Sequence, residues 1–236
     1  MTKAQAMVSE ISENETSADE ISGHGSSRDH VPRHEVSGRL RQAKQGIDVT
    51  VPARIAGSTT VYRGSIFSVD DRLIVLRGTD GGETTIRRQV IVHAPSVVML
   101  VHDQLHDRYI LEREYRAGSN VFAYGLPAGL MDAGERPEHA ALRELREETG
   151  VVPDTPEDLE IDHVGDCYSS EGMTDELVHI MVLHLANWHG TATEFDSDEY
   201  VASRWVDWQE LLNTSIRESN AVIAIQHEML RRLNAV

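Results

Sequence analysis

From about Val49 onward, apolar residues fall into short runs split by turn signals, and the period of those runs changes along the chain. TTVYRGSIFSVDDRLIVLRGTDGGETTIRRQVIVH carries β-branched and aromatic residues broken by Gly and Asp, with Thr79-Asp80-Gly81-Gly82 as a hairpin turn. It predicts a small antiparallel sheet of about three strands. APSVVMLVHD and RYILEREYR read as two further strands joined by a polar turn around Asp103 to Asp107. LEIDHVGDCYSS, LVHIMVLHLAN and YVASRWVD supply more strands later in the chain.

A helical period appears between these runs. Ala141, Leu142 and Leu145 share one face of a helix expected from about Pro137 to Thr149. Pro137 suits the first helical turn and Gly150 the left-handed stop after the last. WQELLNTS starts a second helix, and ESNAVIAIQHEMLRRLN makes a third with apolar residues on one face. The first block is different: rich in Ser, Glu, Asp and Gly, without an aromatic residue up to Gly38. It reads as a disordered acidic and polar tail over residues 1–46, with a short interaction helix around Met7 to Ile11 as the alternative. The organisation expected is that tail, a β-subdomain over 47–94, and a mixed α+β domain over 95–236 in which helices pack on a sheet. No internal repeat is visible.

Charge narrows the field. The chain has 236 residues, with 39 acidic and 22 basic side chains and a formal charge of -17. That balance argues against broad binding to a nucleic-acid backbone or an anionic membrane. An anionic substrate stays possible, because metal ions reverse the local sign. Cys167 is the only cysteine, so no disulfide framework forms within one chain. With no apolar run long enough to span a bilayer and no signal-peptide core, the expectation is a soluble, cytoplasmic protein.

Against this acidic background, GLMDAGERPEHAALRELREETGV places Glu144, Glu147 and Glu148 together on the predicted helix. Residues three and four apart share a helix face, so Glu144 and Glu148 stack with Glu147 beside them. Close carboxylates raise one another's pKa unless something positive sits among them. Arg143 and Arg146 neutralise part of this charge, and a hard divalent cation does it better, since Mg²⁺ prefers oxygen ligands. A solvated acidic face would be the simpler reading of an isolated RELREE. The wider spacing overrides it. Gly129, five residues, Glu135, seven residues, then Arg143-Glu144-Leu145-Arg146-Glu147-Glu148-Thr149-Gly150-Val151 matches every position of the Nudix hydrolase signature. Seven fixed residues at ordinary usage would coincide about once in 10⁸ sites.

The chain therefore resembles the Nudix hydrolases, which implies a mixed sheet sandwiched between helices and a loop–helix–loop motif. By resemblance, Glu144 and Glu148 would ligate metal, with Glu147 as a further or water-bridged ligand. Arg143 would hold the glutamates, Glu135 would brace the loop against Arg143, and Gly129 and Gly150 would supply turns that side chains block. The chemistry expected is Mg²⁺-dependent attack of water on a diphosphate, with Mn²⁺ as a substitute.

EYRAG, LPAGLMDAGE, GMTDE, VYRGSIFSV, RRQVIVHAPSVVML and NAVIAI are similar to the ADP-ribose pyrophosphatase branch, over about Val61 to Ile225. That likeness implies a metal-ligating carbonyl at Ala128, a phosphate contact at Arg116, and Glu176 as general base or further ligand, with Asp175 and Glu171 as weaker candidates. It also implies a homodimer built by the N-terminal sheet, with Tyr62 stacking on adenine and Arg88 or Arg87 reaching substrate phosphates across it. Phe67 is expected to fill that sheet's core, a role Tyr62 could share; both arginines could equally be exposed strand residues. One departure bears on the substrate: the branch usually has proline where this chain has Glu171, before Gly172.

Three readings follow: hydrolysis of ADP-ribose to AMP and ribose 5-phosphate, hydrolysis of another nucleoside diphosphate sugar or dinucleotide, or a regulator that binds ADP-ribose without cleaving it. The intact motif, and the absence of a basic winged-helix segment after the last predicted helix, favour catalysis. His102 and His106 beside Asp103 and Asp107 read as a polar hairpin turn rather than a metal site. Cys167 reads as a partly buried strand residue. Trp188, Trp205 and Trp208 read as packing for the sheet and the last helices, with a ligand contact at Trp188 as the alternative.

Overall fold

The computed structural model describes residues 46–194 and 200–234. The expected tail, with its alternative helix from Met7 to Ile11, lies outside the described residues but for Gly46. Strands β1 (Arg54–Arg63), β2 (Phe67–Arg77) and β3 (Glu83–His93) form a separate antiparallel sheet in the order β1-β2-β3. The β2–β3 hairpin turns where the sequence predicts. Gly81 takes φ +85, and Asp80 Oδ1 accepts the Gly82 N–H at 2.8 Å. This sheet is one layer, which changes the expectation for Phe67. Its ring lies 5.7 Å from that of Tyr62, yet both are exposed, as are Ile55, Val61 and Leu73. Among the described residues no second layer covers these three strands, and they offer no core for Phe67 to fill.

Two residues after β3 the chain enters the main sheet. Its strands run β12 (Val201–Asp207), β5 (Arg108–Arg116), β4 (Ser96–Asp103), β10 (Leu177–Leu185), β9 (Leu159–Tyr168), with β6 (Val121–Gly125) on β5 and β7 (Ala128–Leu130) on β4. Only β4 and β10 pair in parallel; the sheet is mixed. Alternation explains its two covered faces. Val97, Met99 and Val101 of β4, with Met181, Leu183 and Leu185 of β10, join Ala140, Ala141, Leu142 and Leu145 of helix α1 (Pro137–Thr149). Val98 and Leu100, with Ile180 and Val182, point the other way. They meet Leu211 of α2 (Trp208–Asn213) and Ala221, Ala224 and Ile225 of α3 (Ser219–Asn234). α1 is thus fixed by its apolar face, with Glu144 and Glu147 outside that packing.

Gly150 stops α1 at φ +68, its N–H donating to the Arg146 carbonyl at 2.9 Å. A Cβ there would run into the Thr191 carbonyl. β8 (Val151–Pro153) follows at once and pairs with β11 (Trp188–Gly190). Trp188 packs on Trp205 with ring centroids 5.0 Å apart, and Trp208 lies near Tyr109 and Arg232. His102, Asp103 and Asp107 flank the β4–β5 turn, and Cys167 is half-buried on β9. No helix among the described residues is long and apolar enough to cross a membrane.

Candidate active site

The glutamate face of α1 forms one wall of an open cleft of about 1510 Å³. Arg143 organises that wall. Its Nε and Nη2 donate to Glu135 at 3.1 and 2.9 Å, its Nη1 to Glu144 at 2.7 Å and Glu147 at 3.2 Å, and Nη2 also to the Leu130 carbonyl at 2.9 Å. Glu135 closes the loop by accepting the Asp132 N–H at 2.9 Å. Partial burial opposes its charge, but Arg143 and the Asp132 N–H win and hold the carboxyl below its usual range. The guanidinium in turn is raised, chiefly by Glu135. Arg146 sits further out, near Glu147 at 3.4 Å and Glu194 at 3.9 Å.

Gly129 matters for space rather than for dihedral freedom. A Cβ on it would overlap the Glu144 carboxylate. One step along β7, the Ala128 N–H donates to Glu148 Oε2 at 3.1 Å. Glu148 is buried, and its carboxyl is pushed well above the ordinary range by burial first, then by Glu112, with Glu144 and Glu114 adding to the repulsion. Glu112 and Glu114 stand two apart on β5, and Glu114 with Arg116 lines the cleft.

Glu176 lines the same cleft. Its two oxygens accept from Ser96 Oγ at 2.9 Å and Ser169 Oγ at 2.6 Å, and His93 Nδ1 lies 3.9 Å away. Asp175 faces the N-terminal sheet instead, accepting from His93 N–H at 3.0 Å and Arg72 at 3.3 Å. Glu171 is exposed and does not line the cleft. Arg116 lines it while pairing with Glu114 at 3.0 Å.

The structure thus brings together Ala128, Gly129, Glu135, Arg143, Glu144, Glu147, Glu148, Arg116 and Glu176, with Gly150 holding the end of α1. It leaves Tyr62 and Arg88 off the cleft within one chain; both are exposed, and Arg88 donates to the Arg87 carbonyl at 2.8 Å. Arg87 is tied to Asp71. Sequence reasoning missed Glu112, Glu114 and Glu218. The alternation Glu112, Glu114, Arg116 on one strand was a usable signal. Glu218, just before α3, had none; burial raises its carboxyl, as do Glu114 and Glu176, while Arg116 opposes.

A hard divalent cation suits this donor set. Glu112, Glu144 and Glu114 crowd negative charge around Glu148, and Gly129 leaves the Glu144 carboxylate the space that a side chain would fill. Among the described residues no three carboxylate or imidazole groups form a closed metal cage as placed. Arg143 instead draws Glu144 and Glu147 toward itself. Clustered carboxylates braced by one guanidinium thus line an open cleft.

A profile of the NUDIX domain matches residues 92–225, more than half of the chain, and the protein belongs to the Nudix hydrolase family. Enzymes of this family generally use divalent metal ions. The ADP-ribose pyrophosphatase of Bacillus subtilis (strain 168) is 28% identical over 150 residues, covering 61% of this chain and 77% of its own. The CMP-5'-(N-acetyl-N-hydroxy-3-aminopropyl)phosphonate hydrolase of Streptomyces rubellomurinus is 30% identical over 152 residues, covering 63% and 69%. A crystal structure of an ADP compounds hydrolase superposes with a TM-score of 0.59 at 23% identity, over 78% of this chain and 97% of that one, and shares the fold.

Proposed function

We propose that this Nudix hydrolase cleaves the diphosphate bond of ADP-ribose with Mg²⁺, giving AMP and ribose 5-phosphate. The observation that carries the reading is the bracket of Arg143 on Glu135, Glu144 and Glu147, set beside buried Glu148 in a cleft that Glu176 also lines. A divalent ion held by Glu144, Glu148 and the Ala128 carbonyl, with Glu147 as a further or water-bridged ligand, would supply charge withdrawal from the phosphates and a more acidic water. Glu176, oriented by Ser96 and Ser169, would take the proton of the attacking water. The new bond joins water oxygen to phosphorus, the bridging P–O bond breaks, and the leaving phosphate keeps its electron pair. Arg116 would contact a substrate phosphate, exchanging part of its pairing with Glu114 for it.

The substrate rests on flanking residues and on the name of the Bacillus subtilis relative. The Streptomyces relative, which acts on a CMP-linked phosphonate, together with Glu171 in the Glu176 loop, supports a second reading: another nucleoside diphosphate derivative. In both, exposed Ile55, Val61, Tyr62, Phe67 and Leu73 support a homodimer through the N-terminal sheet, with Tyr62 and Arg88 reaching the partner's cleft. A panel of ADP-ribose, NADH, UDP-glucose, GDP-mannose and diadenosine polyphosphates with Mg²⁺, scored by products, tests the choice. ADP-ribose should give the highest kcat/KM. A better rate on any other member overturns the substrate and spares the reaction class. Glu148→Gln should abolish turnover of all of them.

A further inference from the structure

The end of the loop that carries Glu176 is stitched to the N-terminal sheet. Ile91 of β3 donates its N–H to the Met173 carbonyl at 2.9 Å and accepts from the Asp175 N–H at 3.1 Å, with Ile91 and Thr174 in parallel register. The Asp175 side chain adds two contacts to the same sheet, His93 N–H at 3.0 Å from β3 and Arg72 Nη2 at 3.3 Å from β2. Asp175 does not line the cleft. The next residue, Glu176, turns the other way and meets Ser96 and Ser169. Adjacent residues in extended chain point to opposite sides, so fixing one side chain aims the other.

We infer that Asp175 is a positioning residue: clamped by Arg72 and the His93 N–H, it aims the Glu176 carboxylate at the reacting water and couples the N-terminal sheet to turnover. This rests on the reading of Glu176 as base. The clamp's two side chains keep 18% and 39% of their surface exposed, and pairs of that kind contribute little to stability. Catalysis is more sensitive, since a displacement of about 1 Å at a base can cost about 100-fold in rate. Losing the clamp therefore separates turnover from folding.

The test measures kcat, KM and Tm for Asp175→Ala, Asp175→Asn, Arg72→Ala, Glu176→Gln and the double variant Asp175→Ala/Glu176→Gln, on the best substrate of the panel. Asp175→Ala should lower kcat by about 10-fold or more, with KM within about twofold. Its Tm should move by no more than about 2 °C. Asn keeps an acceptor for the His93 N–H and should recover part of the loss. Arg72→Ala removes the side-chain half of the clamp without altering the loop's own sequence and should lower kcat in the same direction by a smaller factor, which covers a misfolded Asp175 variant. The double variant should be no slower than Glu176→Gln alone, because a mis-aimed base that is already absent has nothing more to lose. Full kcat in both Asp175→Ala and Arg72→Ala beside an impaired Glu176→Gln overturns the clamp and leaves the base. Multiplying losses in the double variant overturn it as well. Unchanged activity in Glu176→Gln removes the base itself, and the clamp with it.

Discussion

Arg143 binds three glutamates and a backbone carbonyl at once, something only a planar fork of donors can do. A lysine keeps the charge and loses the fork. Arg143→Lys should therefore lower kcat/KM by about 10- to 100-fold, the usual cost of removing a group that orients metal ligands, and should raise the Mg²⁺ concentration for half-maximal rate. A Mg²⁺ titration of initial rates measures both, and a wild-type curve would mean that charge alone suffices. Gly129 makes a complementary prediction. A methyl group there overlaps the Glu144 carboxylate, so Gly129→Ala should displace that side chain and cost activity at unchanged helix content by circular dichroism. The sequence exposes both residues because their roles depend on fixed spacing along one loop and helix. It exposes Asp175 less well: from its neighbours alone it looks like a second base candidate, and only the packing of Arg72 and His93 shows where its oxygens go.

At the scale of elements, strands with a clear period of two and helices with a buried stripe are legible in advance. β4 and β10 read as continuous apolar runs because both faces are covered. The three-residue strands β7, β8 and β11 carry too few side chains for any period, and tertiary pairing alone makes them. The attachment of α3 is also a tertiary matter. Glu228, fully buried on that helix, accepts from Tyr109 Oη at 2.7 Å and from Arg231, and Arg232 pairs with Asp107. Beside them His102 and His184 face each other, Nδ1 to Nδ1 at 3.0 Å, with Tyr109 stacked on His102. Burial lowers the pKa of both imidazoles, so the fold prefers them neutral. Their contribution to stability is present above the unfolded value near pH 6.5 and is lost as pH falls through the lower folded values. The slope is at most about 1.4 kcal/mol per pH unit for each histidine. Glu148 and Glu218, whose carboxyls are raised, shift stability the opposite way over the same range, so the histidine contribution is read as a difference. In denaturant unfolding between pH 7.5 and pH 5, about a unit or more either side of that unfolded value, the stability of wild type relative to His184→Leu should fall as pH falls. An unchanged slope in that variant would assign the acid sensitivity to other groups.

Over the whole molecule, charge sets the terms of binding. The chain carries -17, and the cleft wall gathers Glu114, Glu144, Glu147, Glu148, Glu176 and Glu218 around an opening that also holds Arg116, Arg143 and Arg217. Arg143 is committed to its three glutamates and Arg116 to Glu114. The walls of this cleft come from α1, β5, the Glu176 loop and the start of α3, segments far apart in sequence, which is why the motif revealed one wall and not its neighbours. A diphosphate brings about two negative charges into that acidic field, and it is repelled unless cations enter with it. Arg217 alone of the three is in no ion pair among the described residues, so substrate affinity should depend on metal more steeply than in a site with all its arginines free. In calorimetry with an excess of chelator, ADP-ribose should show no measurable binding to the Glu176→Gln variant. Mg²⁺ or Mn²⁺ should restore binding to that slow variant, and binding should weaken as salt rises. Ca²⁺, also a hard cation with oxygen preference but larger and less demanding in geometry, should restore binding with little turnover in the wild type. Tight binding of ADP-ribose in chelator would overturn the electrostatic argument and point to an ADP-ribose-binding regulator, because a receptor that needs no cation to overcome these carboxylates would not be using them for chemistry.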